Sequence, residues 1–482
     1  MAQTLGAMGE TLKKYDVAIL GVWYGLNYGS LLTYYALRKQ IEATGKSVVM
    51  VQYLPDNKPA SMSDEQRPEA HNNQFIAKQG YETHLLQSSN ARSVNELADT
   101  FVVGSDQVWN YHIARLYDEF FYMSAIDANK RKIANAVSFG HAVDFAPAEE
   151  RPRIANLMKR FNAISVREDS GVDLMRTEYG VPAEWHADPL LTIDSEDIRA
   201  LGTDAKIELG EKPYLLAYIL DPSEDKINGI MGLAAKLGLE IKVVVDGFAH
   251  NRTANIERLG VLAEKAQDNV GVEEFVDLFA NSSYVVTDSF HGTVMSIKME
   301  KDFAIVTTAK MHRGQTRIDS LLRLTGLFAR HTFDANAIAG RRRFVTPIDY
   351  TQVNQLISRT AALSKLWLTT ALDIPIDVKI GISPVKLDDG ELSDIMIGKK
   401  NWSFGLLGKP PYTEEVRFLA DGTIAGIQSK NEFYWEVRNS TLLLSNRQRE
   451  LTHSFSLKSL KFGKPVLHGD TVFDHSLVHV LS

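Results

Sequence analysis

Short, nearly continuous apolar runs alternate along most of this chain with longer stretches whose apolar residues recur every three or four positions. The alternation begins with "DVAIL" (16–20), a Gly/Asn-rich loop, a helical pattern from about Leu31 to Ala43, and "SVVMVQY" (47–53). It continues through "TFVVGS" (100–105), "KIANAVSFG" (132–140), "AISVRE" (163–168) and "AEWHADPLL" (183–191), each predicted to be a strand. Runs of this kind fit strands buried on both faces of a parallel sheet, with helices as crossovers. The polar segment from Asp56 to Ser89 reads as a loop excursion with short helices.

A second series starts near Lys212. Strands are predicted at "PYLLAYIL" (213–220), "EIKVVV" (240–245), "YVVTD" (284–288) and "DFAIVTT" (302–308), and helices over 226–238, 271–283 and 317–326. The helical run 350–373 finds few apolar partners in its own series and is expected to pack across both. Beyond residue 380 the period falls to two, in "NWSFGLLG", "EEVRFLADGTIAGI", "EFYWEVRNSTLLLSN" and "LTHSFSL". Turn signals at Asp421 and Gly422 and at Asn439 and Ser440 make this a small antiparallel β module. The expected division is 1–200, 201–349, a crossing helix and linker at 350–379, and the module at 380–482.

Composition narrows the function classes. The 482 residues exceed what one core usually serves, and 44% hydrophobic with 23% charged residues is ordinary globular composition. A net charge of −7 argues against a general nucleic-acid binder while permitting local basic pockets. There is no cysteine, which excludes disulfides, thiol catalysis and cysteine-ligated zinc. The opening "MAQTLGAMGETLKKYDVAILG" lacks the order of a signal peptide, and no apolar run approaches the ~20 residues of a membrane span. The expectation is a cytoplasmic protein, with peripheral attachment at the inner face of the membrane left open.

Four strand ends carry candidate chemistry. In "GVWYGLNYGSLLTYYAL", Gly29 and its neighbouring glycines either admit a ligand to bare backbone or serve loop geometry. Asn27 is the side chain placed to bond a ligand there; the spacing is neither G-x-G-x-x-G nor a Walker loop. In "FVVGSDQVWN", Ser105 and Asp106 follow a strand where open α/β sheets bind ligands, and helix capping explains them equally well. Trp109 is read as a packing residue with sugar stacking as the alternative. Arg167 in "SVREDS" can fork onto a phosphate or carboxylate, or pair with its acidic neighbours. In "VVTDSFHGT", Asp288 or Ser289 caps a helix, Gly292 keeps the approach open, and His291 stands at the helix start, either as a structural residue or suited to proton exchange with an anionic substrate. Asp106 or Asp288 can also orient a hydroxyl or the imidazole. Lys310, Arg313 and Arg317 lie just beyond the neighbouring strand, so the set suits a small, doubly charged anion. No compact metal-ligand cluster is visible.

Taken in order, "NYGSLLTYYAL", "FVVGSDQVWN", "SFG" from Ser138, "SVRE", "YGV" with "DPLL", and "VVTDSFHGT" resemble the polysaccharide pyruvyl transferases over about residues 14–345. The resemblance implies two Rossmann-like domains in a GT-B-like arrangement, with the β module outside it. It implies phosphoenolpyruvate as donor substrate, no cofactor, and a sugar or lipid-linked oligosaccharide as acceptor of a pyruvate ketal in a cell-surface polysaccharide. By position, Arg167 resembles the family's donor-contacting arginine, His291 its catalytic histidine, and Lys310, nineteen residues later, its lysine. Ser138 joins Asn27, Gly29, Ser105, Asp106, Asp288, Ser289, Arg313 and Arg317 as a candidate substrate contact. The chain departs from the pattern at Ser289, where several members carry arginine. Two other readings stand beside this one: a GT-B glycosyltransferase using a nucleotide sugar, and a non-catalytic glycan-binding assembly protein in which Trp402, Phe404, Tyr434 and Trp435 serve either as a sugar platform or, for most of them, as core.

Overall fold

A computed structural model describes residues 14–56, 70–245, 249–308 except 269, 315–380, and 389–481 apart from 400, 407–408, 428, 439–440, 462–463 and 472–477. Lys310, Arg313 and the turn at Asn439 and Ser440 lie outside the described residues. The chain divides into two compact units, residues 1–381 and 382–482.

The first unit holds two parallel sheets. In the first, β1 (Tyr15–Leu20), β2 (Val48–Leu54), β3 (Thr83–Gln87), β4 (Ala98–Gly104), β5 (Arg131–Val137), β6 (Ala163–Val166) and β7 (Glu184–Trp185) run in the order β3-β2-β1-β4-β5-β6-β7. All six pairings are parallel. In the second, β8 (Tyr214–Tyr218), β9 (Glu240–Val244), β10 (Tyr284–Thr287), β11 (Asp302–Val306) and β12 (His331–Thr332) run β12-β11-β10-β8-β9, again parallel. The strand order reverses between β1 and β4 in one sheet and between β8 and β10 in the other, which is where open α/β sheets leave a crevice at their carboxyl ends.

Six helices position the site: α1 (Tyr28–Glu42), α2 (Asp169–Thr177), α3 (Pro189–Thr192), α4 (Phe290–Lys298), α5 (Gln315–Thr325) and α6 (Tyr350–Asp373). One core cluster runs without a break from Val17 and Phe101 through α1 to Leu216, Val285 and Phe303, so one face of the second sheet shares its core with the first. A second cluster covers the other face, around Leu215, Ile230 and Val286. Tyr28 of α1 stacks on Phe275 with ring centroids 4.4 Å apart and donates its hydroxyl to the Val270 carbonyl at 2.7 Å. Helix α6 touches both sheets' surroundings: Tyr350 donates to the Lys301 carbonyl at 2.6 Å and Trp367 Nε1 to Glu184 at 3.1 Å.

Two sequence expectations change here. The excursion 56–89 ends in an edge strand, β3, in which Leu86 is the one buried residue, so no apolar pattern announces it. The run 183–191 is not one strand: β7 has two residues, and Asp188 starts α3 by accepting the Leu190 N–H at 2.9 Å with Pro189 in the first turn.

Among its described residues, the second unit is an eight-stranded antiparallel sheet with one helix, Asp389–Gly398. The Asp421–Gly422 turn closes a hairpin, with Leu419 N–H bonded to the Thr423 carbonyl at 2.9 Å. Trp402, Phe404 and Trp435 are buried in its core, which removes them from any exposed sugar platform.

Candidate active site

The charged residues at the strand ends converge on one buried cluster. Arg167 follows β6, and its side chain is fully enclosed. Its Nη1 donates to the Ser105 carbonyl at 2.5 Å and to Asp188 Oδ2 at 2.7 Å, and its Nη2 to Asp106 Oδ1 at 3.3 Å. The guanidinium carbon lies 4.5 Å from the centre of the Phe290 ring. Burial works against this charge, but Asp188, Asp106 and Glu168 together hold the guanidinium more firmly protonated than usual. For Asp106, burial alone would raise the carboxyl; Arg167, with His291 and Arg317, holds it below the ordinary range.

His291 enters from the second sheet, as the second residue of α4. Its Nε2 lies 3.5 Å from Arg167 Nη1, 3.3 Å from Thr33 Oγ1 and 3.8 Å from Asp188 Oδ2. Burial pushes the imidazole down to about 4, the Asp188 carboxylate opposing and Arg167 assisting. The ring is therefore neutral near pH 7 in the unliganded protein. Gly29 explains how it fits: a Cβ there would stand 2.2 Å from His291 Nδ1, so only glycine lets α1 and α4 approach this closely. Gly29 is thus a packing position under the imidazole rather than open backbone.

Ser138 and Glu168 form a second layer. The Ser138 hydroxyl donates to Glu168 Oε1 and accepts the Gly140 N–H at 3.0 Å; burial raises the Glu168 carboxyl against the opposing pull of Arg167 and of that hydroxyl. Arg317, in α5, also lies against Phe290, at 5.7 Å, and its two terminal nitrogens are within 3.2 Å of the Gln107 side-chain amide. Asp169 receives Ser320 Oγ at 2.7 Å and pairs with Arg323, which ties α2 to α5.

Other sequence candidates are occupied elsewhere. Asn27 caps α1, its oxygen accepting the Ser30 N–H at 2.9 Å. Ser105 stays at the edge of the cluster: its Oγ donates to the Ala136 carbonyl at 2.9 Å and lies 3.4 Å from Asp188 Oδ2. Ser289 caps α4 by accepting the Gly292 N–H at 3.2 Å. Asp288 does not reach the cluster at all: its carboxylate accepts the Leu220 and Asp221 N–H groups at 2.7 and 3.1 Å and pairs with Lys226 at 2.7 Å. Gly292 does not hold an approach open, since a Cβ there would stand 2.3 Å from Thr287 Oγ1. Trp109 is core, bonded to the Phe121 carbonyl at 3.0 Å.

Asp188 and Thr33 were missed by the sequence reading. Asp188 ties the cluster together: Thr33 Oγ1 donates to its Oδ1 at 2.9 Å, while its Oδ2 takes Arg167, lies 3.4 Å from Ser105 Oγ and faces His291. The available signal was the Asp-Pro step, which marks a capped helix start. Thr33 offered none, being one of many buried positions on α1.

The arrangement leaves polar atoms without hydrogen bonds. Among the described residues, buried Arg167 Nε, Ser170 Oγ, Thr308 Oγ1 and Thr316 Oγ1 make no hydrogen bond, nor does the acceptor Glu168 Oε2; Arg167 Nε faces Glu168 Oε1 at 4.0 Å. They belong to the segments after β6 and β11 and to the first turn of α5. Native proteins seldom leave such groups unmet, since each costs about 1–3 kcal/mol. Among the described residues no group of three or more His, Asp or Glu is placed to hold a metal.

The sequence profile described as Polysaccharide pyruvyl transferase matches residues 27–309. No curated protein matches the chain in sequence. Among solved structures, the wall teichoic acid polymerase TagF is similar at 11% identity and a TM-score of 0.39, over 77% of this chain and 86% of that one. UDP-N-acetylglucosamine 2-epimerase from Rickettsia bellii gives 12% and 0.48 over 76% and 98%. The E. coli ADP-heptose lps heptosyltransferase II gives 12% and 0.34 over 71% and 99%.

Proposed function

The chain belongs to the polysaccharide pyruvyl transferase family, and from that premise we propose that it moves the enolpyruvyl group of phosphoenolpyruvate onto two hydroxyls of one sugar. The product is a pyruvate ketal on a polysaccharide or its precursor, and phosphate is released. The observation that carries the reading is His291, held neutral within 3.5 Å of a fixed guanidinium, where segments from both sheets meet.

The chemistry follows from the donor. A proton must reach its methylene carbon, which leaves the oxygen-bearing carbon electrophilic. One sugar hydroxyl forms a C–O bond there and gives up its proton; the bond to phosphate breaks; the second hydroxyl closes the ring and loses its proton. His291 is assigned as proton carrier. A bound dianion beside the imidazole raises its basicity, so donor binding itself charges the group. Arg167 steadies the charge that moves onto phosphate, and the unmet Arg167 Nε, Ser170, Thr308 and Thr316 groups supply donors that a phosphate or carboxylate would satisfy. Lys310 and Arg313 are further proposed donor contacts.

The test is incubation with phosphoenolpyruvate and a panel of sugar acceptors, reading phosphate and the pyruvyl mass increment on the sugar. Phosphate release coupled to that increment supports the assignment. Turnover of a nucleotide sugar with release of nucleoside diphosphate, and none with phosphoenolpyruvate, would overturn it in favour of glycosyl transfer.

A further inference from the structure

Helix α6 has two faces. Val353, Ile357, Ser364, Trp367, Leu368 and Leu372 are buried. Opposite them a single stripe runs Gln352, Leu356, Arg359, Leu363, Leu366 and Thr370, spaced by alternating fours and threes along 24 residues. The three leucines on it are 44%, 50% and 48% exposed, an unusual amount of leucine to leave in water along one line. At its N-terminal end the stripe runs into a cavity of about 550 Å³, whose lining includes Leu327, Val353 and Leu356 beside Arg330, Arg342 and Arg343. Phe328, 51% exposed, sits between two lining residues.

Charge on this face has one dominant sign. Arg330 is engaged, bonded to the Thr346 carbonyl at 2.5 Å and near Asp302 at 3.7 Å. Among the described residues, no carboxylate pairs with Arg342, Arg343 or Arg359; Arg343 bonds the His331 carbonyl at 3.2 Å and lies 4.8 Å from the centre of the Phe344 ring. The acid at the cavity, Asp349, is occupied as the cap of α6, accepting the Thr351 N–H at 2.9 Å. A chain of net charge −7 thus gathers unpaired cations beside exposed leucines.

We propose that this face docks on an anionic bilayer surface, with lipid phosphodiester groups at Arg342 and Arg343 and the leucine stripe with Phe328 entering the acyl boundary. Leucines flanking one arginine on a helix line, with further arginines at its N-terminal end, fit an interface of that kind, since arginine keeps its charge at headgroup level while its stem lies in the apolar zone. A second copy of the chain is the poorer occupant. Two-fold pairing of this face would bring two surfaces of the same sign together, with no carboxylate paired to Arg342, Arg343 or Arg359 among the described residues. Among the described residues no helix is long and apolar enough to cross a membrane, so the contact is peripheral. The inference does not depend on the donor chemistry assigned above.

The experiment is co-sedimentation of the full chain with vesicles of phosphatidylglycerol and phosphatidylcholine, against vesicles of phosphatidylcholine alone. Binding is expected to the anionic vesicles only, weakening as salt rises. The paired change Arg342→Glu with Arg343→Glu should lower partitioning at least tenfold, each basic residue being worth about fivefold near such a surface. Leu363→Gln with Leu366→Gln should weaken the binding that survives at high salt. Thermal unfolding of each variant, and of the milder Arg342→Gln with Arg343→Gln, keeps folding and docking separate. Equal binding to both vesicle types, no binding, or anionic binding unaffected by the arginine changes would overturn the proposal. So would a dimer in light scattering that Leu363→Gln with Leu366→Gln dissociates, which would identify a second copy as the occupant.

Discussion

Two buried acid–base pairs sit near the crevices of the two sheets, and they are spent differently. Beside β8 and β10, Asp288 meets Lys226 and two backbone N–H groups, so the carboxylate is enclosed by donors and joins the ends of its own sheet. After β4 and β6, Arg167 is shared between Asp106, Asp188 and the Ser105 carbonyl, while its Nε makes no hydrogen bond among the described residues and faces Glu168 Oε1 at 4.0 Å. The first pair is closed on itself. The second has an imidazole from the other sheet beside it. Burial and polarity are common to both pairs; what differs is hydrogen-bond satisfaction and the neighbouring imidazole, which is why the proposed chemistry is assigned to the second.

The largest expected effect breaks the comparison at His291. His291→Ala should lower transfer by ~10²–10⁴-fold, the usual contribution of a general acid–base group, with unfolding little changed. Turnover at the parent rate in a folded variant would return His291 to a packing role.

Asp288→Ala probes the other pair. It leaves Lys226 buried without its counter-ion and frees two N–H groups, so a stability loss of about 3–5 kcal/mol is expected in urea unfolding. Protein that remains folded should release phosphate at the parent rate. A folded Asp288→Ala protein of parent stability and lost activity would place Asp288 in the chemistry instead.

What the sequence could and could not say follows the same divide. The apolar runs located the buried strands of both sheets, because burial on both faces leaves a continuous signal. Strand β3 left none, being an edge with Leu86 alone turned inward. Arg167 and His291 were readable as candidates from their place after a strand. Their enclosure was not, because it depends on partners far off in sequence: Thr33 and Asp188 meet His291 only after both sheets have formed. Asp106 and Asp288 look alike as acids after an apolar strand, yet only Asp106 turns toward Arg167. The direction is set by which backbone N–H groups and cations lie nearby, and local spacing does not encode that.

Protonation gives a smaller, measurable contrast. Burial lowers His291 to about 4 in the folded chain, with Arg167 assisting and Asp188 opposing, against an unfolded value near 6.5. The unfolded state therefore binds more protons between those values. Stability from this group is fully present above pH 6.5 and is lost as pH falls toward 4, by about 3 kcal/mol. His453 in the second unit, also lowered to about 4 by burial, with the charge of His479 adding, should act in the same direction there. His291→Asn should flatten the pH dependence for the first unit between pH 7 and 5 in urea titrations. An unchanged slope would mean that the imidazole is hydrated in solution.

Arg167→Lys tests the fork. A lysine supplies one point charge where the guanidinium spans Asp188, Asp106 and the Ser105 carbonyl, so donor affinity should fall by roughly 10–100-fold, the scale of one lost charged hydrogen bond. Calorimetric titration with phosphoenolpyruvate reads this directly, and unchanged affinity would move the donor away from β6.

The smallest effect concerns Ser289, where the chain carries serine and several family members carry arginine. The structure gives serine a task of its own: its hydroxyl accepts the Gly292 N–H at 3.2 Å as the cap of α4, and the side chain is buried. An arginine has no acceptor to offer that N–H, so this chain's α4 is built around the hydroxyl. Ser289→Ala should cost about 1 kcal/mol of stability, the usual worth of a serine cap. Donor affinity should not change, because His291 remains seated on Gly29 and Arg167 keeps its own partners. Unfolding and donor titration on the same sample separate the two roles. Lower donor affinity at unchanged stability would show that Ser289 contacts the donor, and that the second sheet's crevice takes part in binding alongside the first.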